Sequence, residues 1–149
     1  MITCYIGIGS NLGDRQGLIE KAIDAIKKHA DIIVKRVSSI YETEPVSDIP
    51  QGRFLNGVLE LETELDAGVL FKELRRIEQS LGRTRTVKNA PRTIDLDILY
   101  YGDRVIQNKD LVVPHPRIGQ REFVLKGLRE LGKAPHLLQG AGPKEEGAG

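Results

Sequence analysis

The stretch APRTIDLDILYY, residues 90–101, sets Asp95 and Asp97 two positions apart inside a run of branched apolar residues. Side chains on a strand alternate between faces, so the two aspartates point the same way while Ile94, Leu96 and Ile98 point into a core. Their Cα atoms then stand about 6.6 Å apart, two strand rises. Aspartate is depleted in strands and like charges sharing a face repel, so the pair needs compensation. A hard divalent cation supplies it, since Mg²⁺ combines one or two carboxylates with waters and substrate phosphates. On the pair alone, two acids keeping an edge strand soluble explain the pattern equally well. Arg92, three residues before Asp95, and the cations Arg83, Arg85 and Lys88 of the preceding loop favour the metal, because acids and arginines at one strand end suit metal-bridged phosphate.

His115 lies in VVPHPR, residues 112–117, held between two prolines and followed by Arg117 and Arg121. Such a rigid segment can present an imidazole and a guanidinium to a phosphate. His29 and His136 have no comparable neighbours and are read as structural. Phe54 and Phe123 would ordinarily be core, but both stand at junctions beside these loops, where a ring can stack on a flat ligand. The sequence GIGSNLG, residues 7–13, imitates a dinucleotide fingerprint. That motif belongs to a parallel βαβ unit with an acid closing the next strand. Here the glycines are read as permitting a tight turn and close backbone approach.

These side chains need elements to hold them. Residues 2–10 read as a strand, and residues 15–30 as a helix whose Leu18, Ile19, Ala22, Ile23 and Ile26 form one apolar stripe. Residues 32–41 read as a second strand, and residues 42–52, with two prolines, as a long connection of the kind that is usually functional. Residues 54–65 make a third strand with Leu55, Leu59 and Leu61 on one face and Asn56 and Val58 on the other. A second helix over residues 67–81 carries Leu70, Phe71, Leu74, Ile77 and Leu81 at helical spacing and stops at Gly82. Residues 94–101 are the fourth strand. Gly102 and Asp103 form a hairpin signal to a short strand at Val105 and Ile106, an added C-terminal ribbon, and residues 123–131 make a short final helix. The order βαββαβ predicts an α+β, ferredoxin-like antiparallel sheet with helices packed on one face.

At 149 residues the chain is expected to form one domain over residues 1–139, with GAGPKEEGAG, residues 140–149, as a flexible tail. Lys and Arg number 22 against 21 Asp and Glu, so no global field draws nucleic acid or an anionic membrane, and phosphate binding must be local. One cysteine, Cys4, in an apolar segment fits a core thiol in a reducing cytoplasm. The chain shows neither a signal-peptide pattern nor an apolar run long enough to cross a bilayer, and it is expected to be cytoplasmic and monomeric.

The chain resembles the 6-hydroxymethyl-7,8-dihydropterin pyrophosphokinases. The likeness runs through YIGIGSNLGDR (5–15), YETEPV (41–46), FLNGVLELET (54–63), RIEQSLGRTR (76–85), APRTIDLDILYYG (90–102), VPHPR (113–117) and REFVL (121–125). It implies transfer of the β,γ-pyrophosphoryl group of ATP to the pterin hydroxymethyl oxygen, with release of AMP. By the same likeness, Asp95 and Asp97 would hold two Mg²⁺ ions and Arg83 and Arg92 would stabilise the transferring group. Glu78, Arg85, Arg92, Ile98, His115 and Arg121 would line the nucleotide site. Thr43, Asn56 and the backbone of Pro45 and Val46 would bond the pterin edge, with Phe54 and Phe123 sandwiching its ring. Loops over residues 44–51 and 84–89 would close over the substrates and exclude water. Asn89 stands where members often carry a tryptophan, Asp110 where many carry a basic residue, and Pro116 where an aromatic can follow the histidine.

Two other readings share the pattern. A two-carboxylate nucleotidyltransferase on a ferredoxin-like palm would release pyrophosphate rather than AMP. A nucleic-acid-binding module would want a basic sheet face with aromatic platforms. Aromatic content of 5%, no tryptophan and an acidic pair in the middle argue against the module.

Overall fold

The computed structural model describes residues 1–44, 51–82 and 93–133. Strand β1 (Ile2–Ser10) lies in mid-sheet and buries both faces: Cys4, Ile6 and Ile8 enter one core and Tyr5 the other. Burial pushes the Cys4 thiol pKa up to about 12, so it is an inert core group, as its apolar setting predicts. Helix α1 (Arg15–Lys27) starts at Asp14, whose carboxylate accepts the Gly17 N–H at 3.1 Å. It buries Ile19, Ala22 and Ile26. The helix ends three residues earlier than its periodicity predicts, because His29 N–H tightens onto the Ile26 carbonyl and Asp31 N–H turns to His29 Nδ1.

The predicted second strand ends early, at β2 (Ile32–Val37), and a separate β3 (Tyr41–Thr43) takes its last residue and the first two residues of the expected connection; both strands are antiparallel to β4 (Phe54–Thr63). The break has a local cause. Ser38 N–H donates to the Val58 carbonyl, but the Val58 N–H donates to the Ser38 side-chain oxygen at 2.8 Å, so a hydroxyl replaces a ladder carbonyl. The register accommodates one extra residue between Val37↔Leu59 and Tyr41↔Asn56.

Helix α2 (Ala67–Ser80) buries Leu70, Leu74, Ile77 and also Glu78. Strand β5 (Asp95–Tyr101) pairs antiparallel with β1 at the sheet edge, giving the order β2-β4-β1-β5 with β3 continuing beside β4. The pairing Gly9↔Asp95, Gly7↔Asp97, Ile6↔Ile98 jumps to Tyr5↔Tyr100, so Leu99 is an extra residue of β5. Helices α1 and α2 cover one face and enclose a core that includes Ile6, Ile26, Leu61, Leu74 and Ile98. Helix α3 (Glu122–Glu130) lies on the other face, where Val124 and Leu128 pack with Tyr5, Val58, Leu99 and Tyr100. The helices therefore occupy both faces, not one.

The ribbon differs from its expected pairing. Gly102, at φ 56°, donates its N–H to the Thr3 carbonyl and leads the chain off the sheet. The two residues of β6 (Ile106–Gln107) pair with β7 (Val112–Val113) rather than with β5. Asn108 drives this return: its side-chain oxygen accepts the N–H groups of Asp110 and Leu111, closing a tight turn between β6 and β7.

Candidate functional site

The register lays the site out as rungs across the α3 face of the sheet. One rung runs Tyr41, Asn56, Gly9, Asp95, and the next runs Val58, Gly7, Asp97. Asp95 and Asp97 thus share the face opposite α1 and α2, while Leu96 and Ile98 are buried beneath them, as strand alternation predicts. Each carboxylate stands beside a glycine. A Cβ on Gly9 would come within 2.6 Å of the Asn56 side-chain oxygen, and one on Gly7 would reach Leu99 at 3.5 Å. The glycines belong to a strand rather than to the turn expected of them, and they keep a trough open between amide and carboxylates.

Two clefts meet at this trough. The first is a narrow, partly open cleft lined by Gly9, Asn56, Asp95, Asp97, Arg121 and Phe123. Asn56 is buried and its amide donates to the Thr43 hydroxyl oxygen at 2.6 Å. The pair leaves an amide oxygen to accept and a hydroxyl hydrogen to donate, side by side. Phe123 opens α3, with the Arg121 guanidinium carbon 6.0 Å from its ring centre. Phe54 stands across the ladder from Thr43, half-buried.

The second cleft, about 660 Å³ with its mouth, runs along the outer edge of β5 and is lined by Phe71, Arg75, Asp97, Ile98, Asp110 and His115, among others. Its wall is the strand's own backbone. The Leu96 N–H donates to Glu78 at 2.7 Å, so Leu96 turns its main chain outward, and alternation turns that of Ile98 the same way. Such an edge can bond a flat base. Asp97 lines both clefts.

His115 is fixed at three atoms, the first being its carbonyl, which accepts the Ile118 N–H at 3.3 Å. Its N–H donates to the Leu99 carbonyl at 2.9 Å, and its Nδ1 accepts the Arg117 N–H at 3.1 Å, which puts the ring proton on Nε2. Burial first, then the nearby Arg121, lower its pKa to about 4 against a partial opposing pull from Asp95. The imidazole is therefore a neutral Nε2–H donor near pH 7. Glu78 is turned inward, 2% exposed, bonded to Leu96 N–H and ion-paired to Arg75 at 3.4 Å, so it buttresses the edge strand from behind.

Of the site residues expected from sequence, Asn56, Asp95, Asp97, Arg121 and Phe123 meet in the first cleft and Asp97, Ile98 and His115 in the second. Thr43 joins through Asn56 and Glu78 through Leu96. Pro45, Val46, Arg83, Arg85 and Arg92 lie outside the described residues, as do both expected closing loops for most of their length. Sequence reasoning missed Phe71 and Arg75. Phe71 packs against the core from the rim of α2, as its spacing predicts, and also faces the second cleft, with the Arg75 guanidinium carbon 5.2 Å from its ring centre. Their i, i+4 spacing was the available signal. Among the described residues, no group of three or more His, Cys, Asp or Glu is placed to hold a metal ion, so a cation here would take oxygens from a substrate as well.

Two clefts that share one carboxylate can seat two small molecules side by side, which suits an enzyme. The family model for 7,8-dihydro-6-hydroxymethylpterin-pyrophosphokinase (HPPK) matches residues 5–133, and the chain belongs to that family. It is 46% identical over 127 residues to the 2-amino-4-hydroxy-6-hydroxymethyldihydropteridine pyrophosphokinase of Bacillus subtilis (strain 168), covering 85% of this chain and 76% of that one. The protein of the same name from Aquifex aeolicus (strain VF5) is 40% identical over 131 residues, 88% of this chain and 81% of its own. Among solved structures, that of an HPPK-DHPS in complex with substrates shares the fold, at a TM-score of 0.64 and 16% identity over 87% of this chain and 40% of that one.

Proposed function

We propose that this protein transfers the pyrophosphoryl group of ATP to 6-hydroxymethyl-7,8-dihydropterin, giving AMP and the pterin diphosphate, a step of folate biosynthesis. One observation carries the reading: Asp97 lines both the cleft that suits a flat heterocycle and the cleft along the strand edge, so two bound molecules would meet at its carboxylate. The pterin hydroxymethyl oxygen attacks the β-phosphorus of ATP and gives up its proton to solvent, a new P–O bond forms, and the bond from the β-phosphorus to the α,β-bridging oxygen breaks as AMP leaves. Positioning and charge neutralisation do most of the work in such a transfer.

The first cleft suits the pterin. Asn56 and Thr43 offer an acceptor and a donor to its edge, Phe123 offers a face for its ring, and Phe54 flanks the same end. The β5 edge at Ile98 suits the adenine, and neutral His115 donates from Nε2 to phosphate without adding charge that protonation would have to sustain. Asp95 and Asp97 are hard oxygen donors on one face with glycines opposite, which fits Mg²⁺. Two Mg²⁺ ions held there would neutralise charge on the triphosphate as it is attacked. Pro45 and Val46 are assigned to the pterin by resemblance, Arg83 and Arg92 to the transferring group, and Arg85, Arg92, Arg121 and Glu78 to the nucleotide. Arg121 lines the first cleft, not the second, but lies near enough to His115 to lower its pKa, so it would serve the nucleotide from the junction of the two. Glu78 would serve it through the backbone of β5.

The order β2-β4-β1-β5, antiparallel throughout, supports the ferredoxin-like reading, and the β6–β7 pair with α3 supports the added C-terminal ribbon and helix. No helix among the described residues is long and apolar enough to cross a membrane. We read the protein as a cytoplasmic monomer with one domain over residues 1–139. Phosphorus NMR of the protein with ATP, Mg²⁺ and the pterin tests the reaction. AMP together with a pterin diphosphate is expected. Free pyrophosphate would indicate nucleotidyl transfer instead, and ATP consumption that ignores the pterin would refute the assignment.

A further inference from the structure

Helix α3 joins the two walls of the first cleft. Its first turn carries Phe123, which lines the cleft, and its last residue, Glu130, reaches the strand that carries Thr43. One Glu130 oxygen accepts both the N–H and the hydroxyl of Ser39, at 2.9 and 2.8 Å, and the other accepts the Tyr41 hydroxyl at 2.7 Å. Tyr41 is the cross-strand partner of Asn56 on the rung that continues through Gly9 to Asp95. Thr43, two residues on, shares its face and receives the Asn56 amide.

The attachment lands where the edge strand is weakest. Residues 38–40 separate β2 from β3, and Ser38 bridges the gap with its side chain. Between the helix's two ends, Gly127 lies so close to β4 that a Cβ there would come within 2.5 Å of Val58, so the helix is seated on the sheet at its middle as well. Lys126 adds a cation 5.6 Å from the Tyr41 ring centre. The Tyr41 bond, followed by the Ser39 bonds, holds the Glu130 carboxyl below its usual range, while the same bond raises the Tyr41 hydroxyl, so donor and acceptor keep their roles around neutral pH.

We propose that Glu130 is a positioning residue for the pterin: by gripping Ser39 and Tyr41 it sets where Thr43 and Asn56 stand relative to Phe123 on the same helix. A flat heterocycle bonded at its edge by Thr43 and Asn56 and stacked on Phe123 needs both walls in one register. The inference rests on the assignment of the first cleft to the pterin. The nucleotide cleft, formed by β5, α2 and the segment around His115, takes no residue from β3 or from α3.

The test is titration calorimetry on Glu130→Gln, Tyr41→Phe and the double variant. 6-Hydroxymethylpterin is titrated into protein saturated with Mg²⁺ and α,β-methylene-ATP, and the nucleotide analogue is titrated separately. Glu130→Gln puts an amide N–H where a donor is received, and Tyr41→Phe removes only the hydroxyl. Each should raise the pterin Kd roughly tenfold, the equivalent of one hydrogen bond to a charged group. The analogue Kd should be unchanged, and the double variant no weaker than the worse single one. Pterin affinity equal to wild type in both single variants overturns the proposal. Equal weakening of both ligands also overturns it, because it marks general loosening. Wild type that takes up no pterin would instead bring down the assignment of the cleft itself. If Glu130→Gln fails to fold, Tyr41→Phe carries the same decision.

Discussion

Substituting Gly9 by alanine should damage pterin recognition selectively, and the structure sets the size of the effect. Gly9 is an ordinary strand residue, so alanine brings no backbone strain, only one methyl group. That Cβ would stand 2.6 Å from the Asn56 side-chain oxygen and 3.5 Å from the Leu55 carbonyl. The second contact is ordinary, but the first is about 0.4 Å shorter than the 3.0 Å that real Cβ contacts essentially never undercut, so the amide has to swing away. Asn56 is 8% exposed and its amide is bonded to Thr43 at 2.6 Å, so the swing breaks that bond and misaims the acceptor. A lost hydrogen bond costs about 0.5–1.5 kcal/mol, and two on the pterin side amount to about 1–3 kcal/mol, or roughly a 5- to 150-fold rise in pterin Kd. Stability should fall by no more than about 2 kcal/mol, since the moved group is a side-chain end and alanine also restricts the unfolded chain. Calorimetry with 6-hydroxymethylpterin reads the affinity, and steady-state kinetics should show KM for the pterin rising with KM for ATP unchanged. Gly7→Ala is the comparison, because its Cβ meets only Leu99, at 3.5 Å, and leaves the Thr43–Asn56 pair alone. Wild-type pterin affinity in Gly9→Ala, or a parallel loss of ATP affinity, would refute the reasoning.

Further outcomes follow from other parts of the molecule. Asp97→Ala should abolish Mg²⁺-dependent turnover while circular dichroism shows the fold retained, and unchanged activity would sink the metal assignment. Gly127→Ala, whose Cβ would meet two Val58 carbons at 2.5 and 3.1 Å, should destabilise the protein by about 1–3 kcal/mol through overpacking, read as a lower urea midpoint. His115 makes stability depend on pH. Its folded pKa, about 4, lies below the ordinary 6.5, so the unfolded chain binds more protons between those values, and stability is full above about pH 6.5 and falls towards pH 4. The ceiling is about 3 kcal/mol at roughly 1.4 kcal/mol per pH unit, reduced because the ring is partly exposed. His115→Gln should therefore flatten the slope of urea-unfolding free energy between pH 7 and 5, and an unaltered slope would contradict the burial argument.

Much of the molecule was legible in the order of its residues. Apolar spacing located β1, α1, β4, α2, β5 and α3 to within a few residues, because buried stripes repeat every 3.6 residues on a helix and every 2 on a strand. The same two-residue period put Asp95 and Asp97 on one face, and the two prolines around His115 marked a segment able to present a side chain. All of these are local properties of the chain. What was not legible depended mostly on partners distant in sequence. The break at Ser38 arises because its hydroxyl meets the Val58 N–H, 20 residues on. The return of β6 onto β7 is a local exception: Asn108 accepts from Asp110 and Leu111 at a turn that polar side chains, not a hydrophobic pattern, mark. Phe71 sits on the apolar stripe of α2 in sequence but at its rim in space, where the stripe outreaches the core and opens on a cleft. Gly7 and Gly9 were readable as glycines, but their use as the floor between an amide and two carboxylates came from the β1 register with β4 and β5. Composition and period chose the elements and the face of the aspartates; pairing register and the docking of α3 on the opposite face, both set by long-range packing, decided which side chains those aspartates would meet.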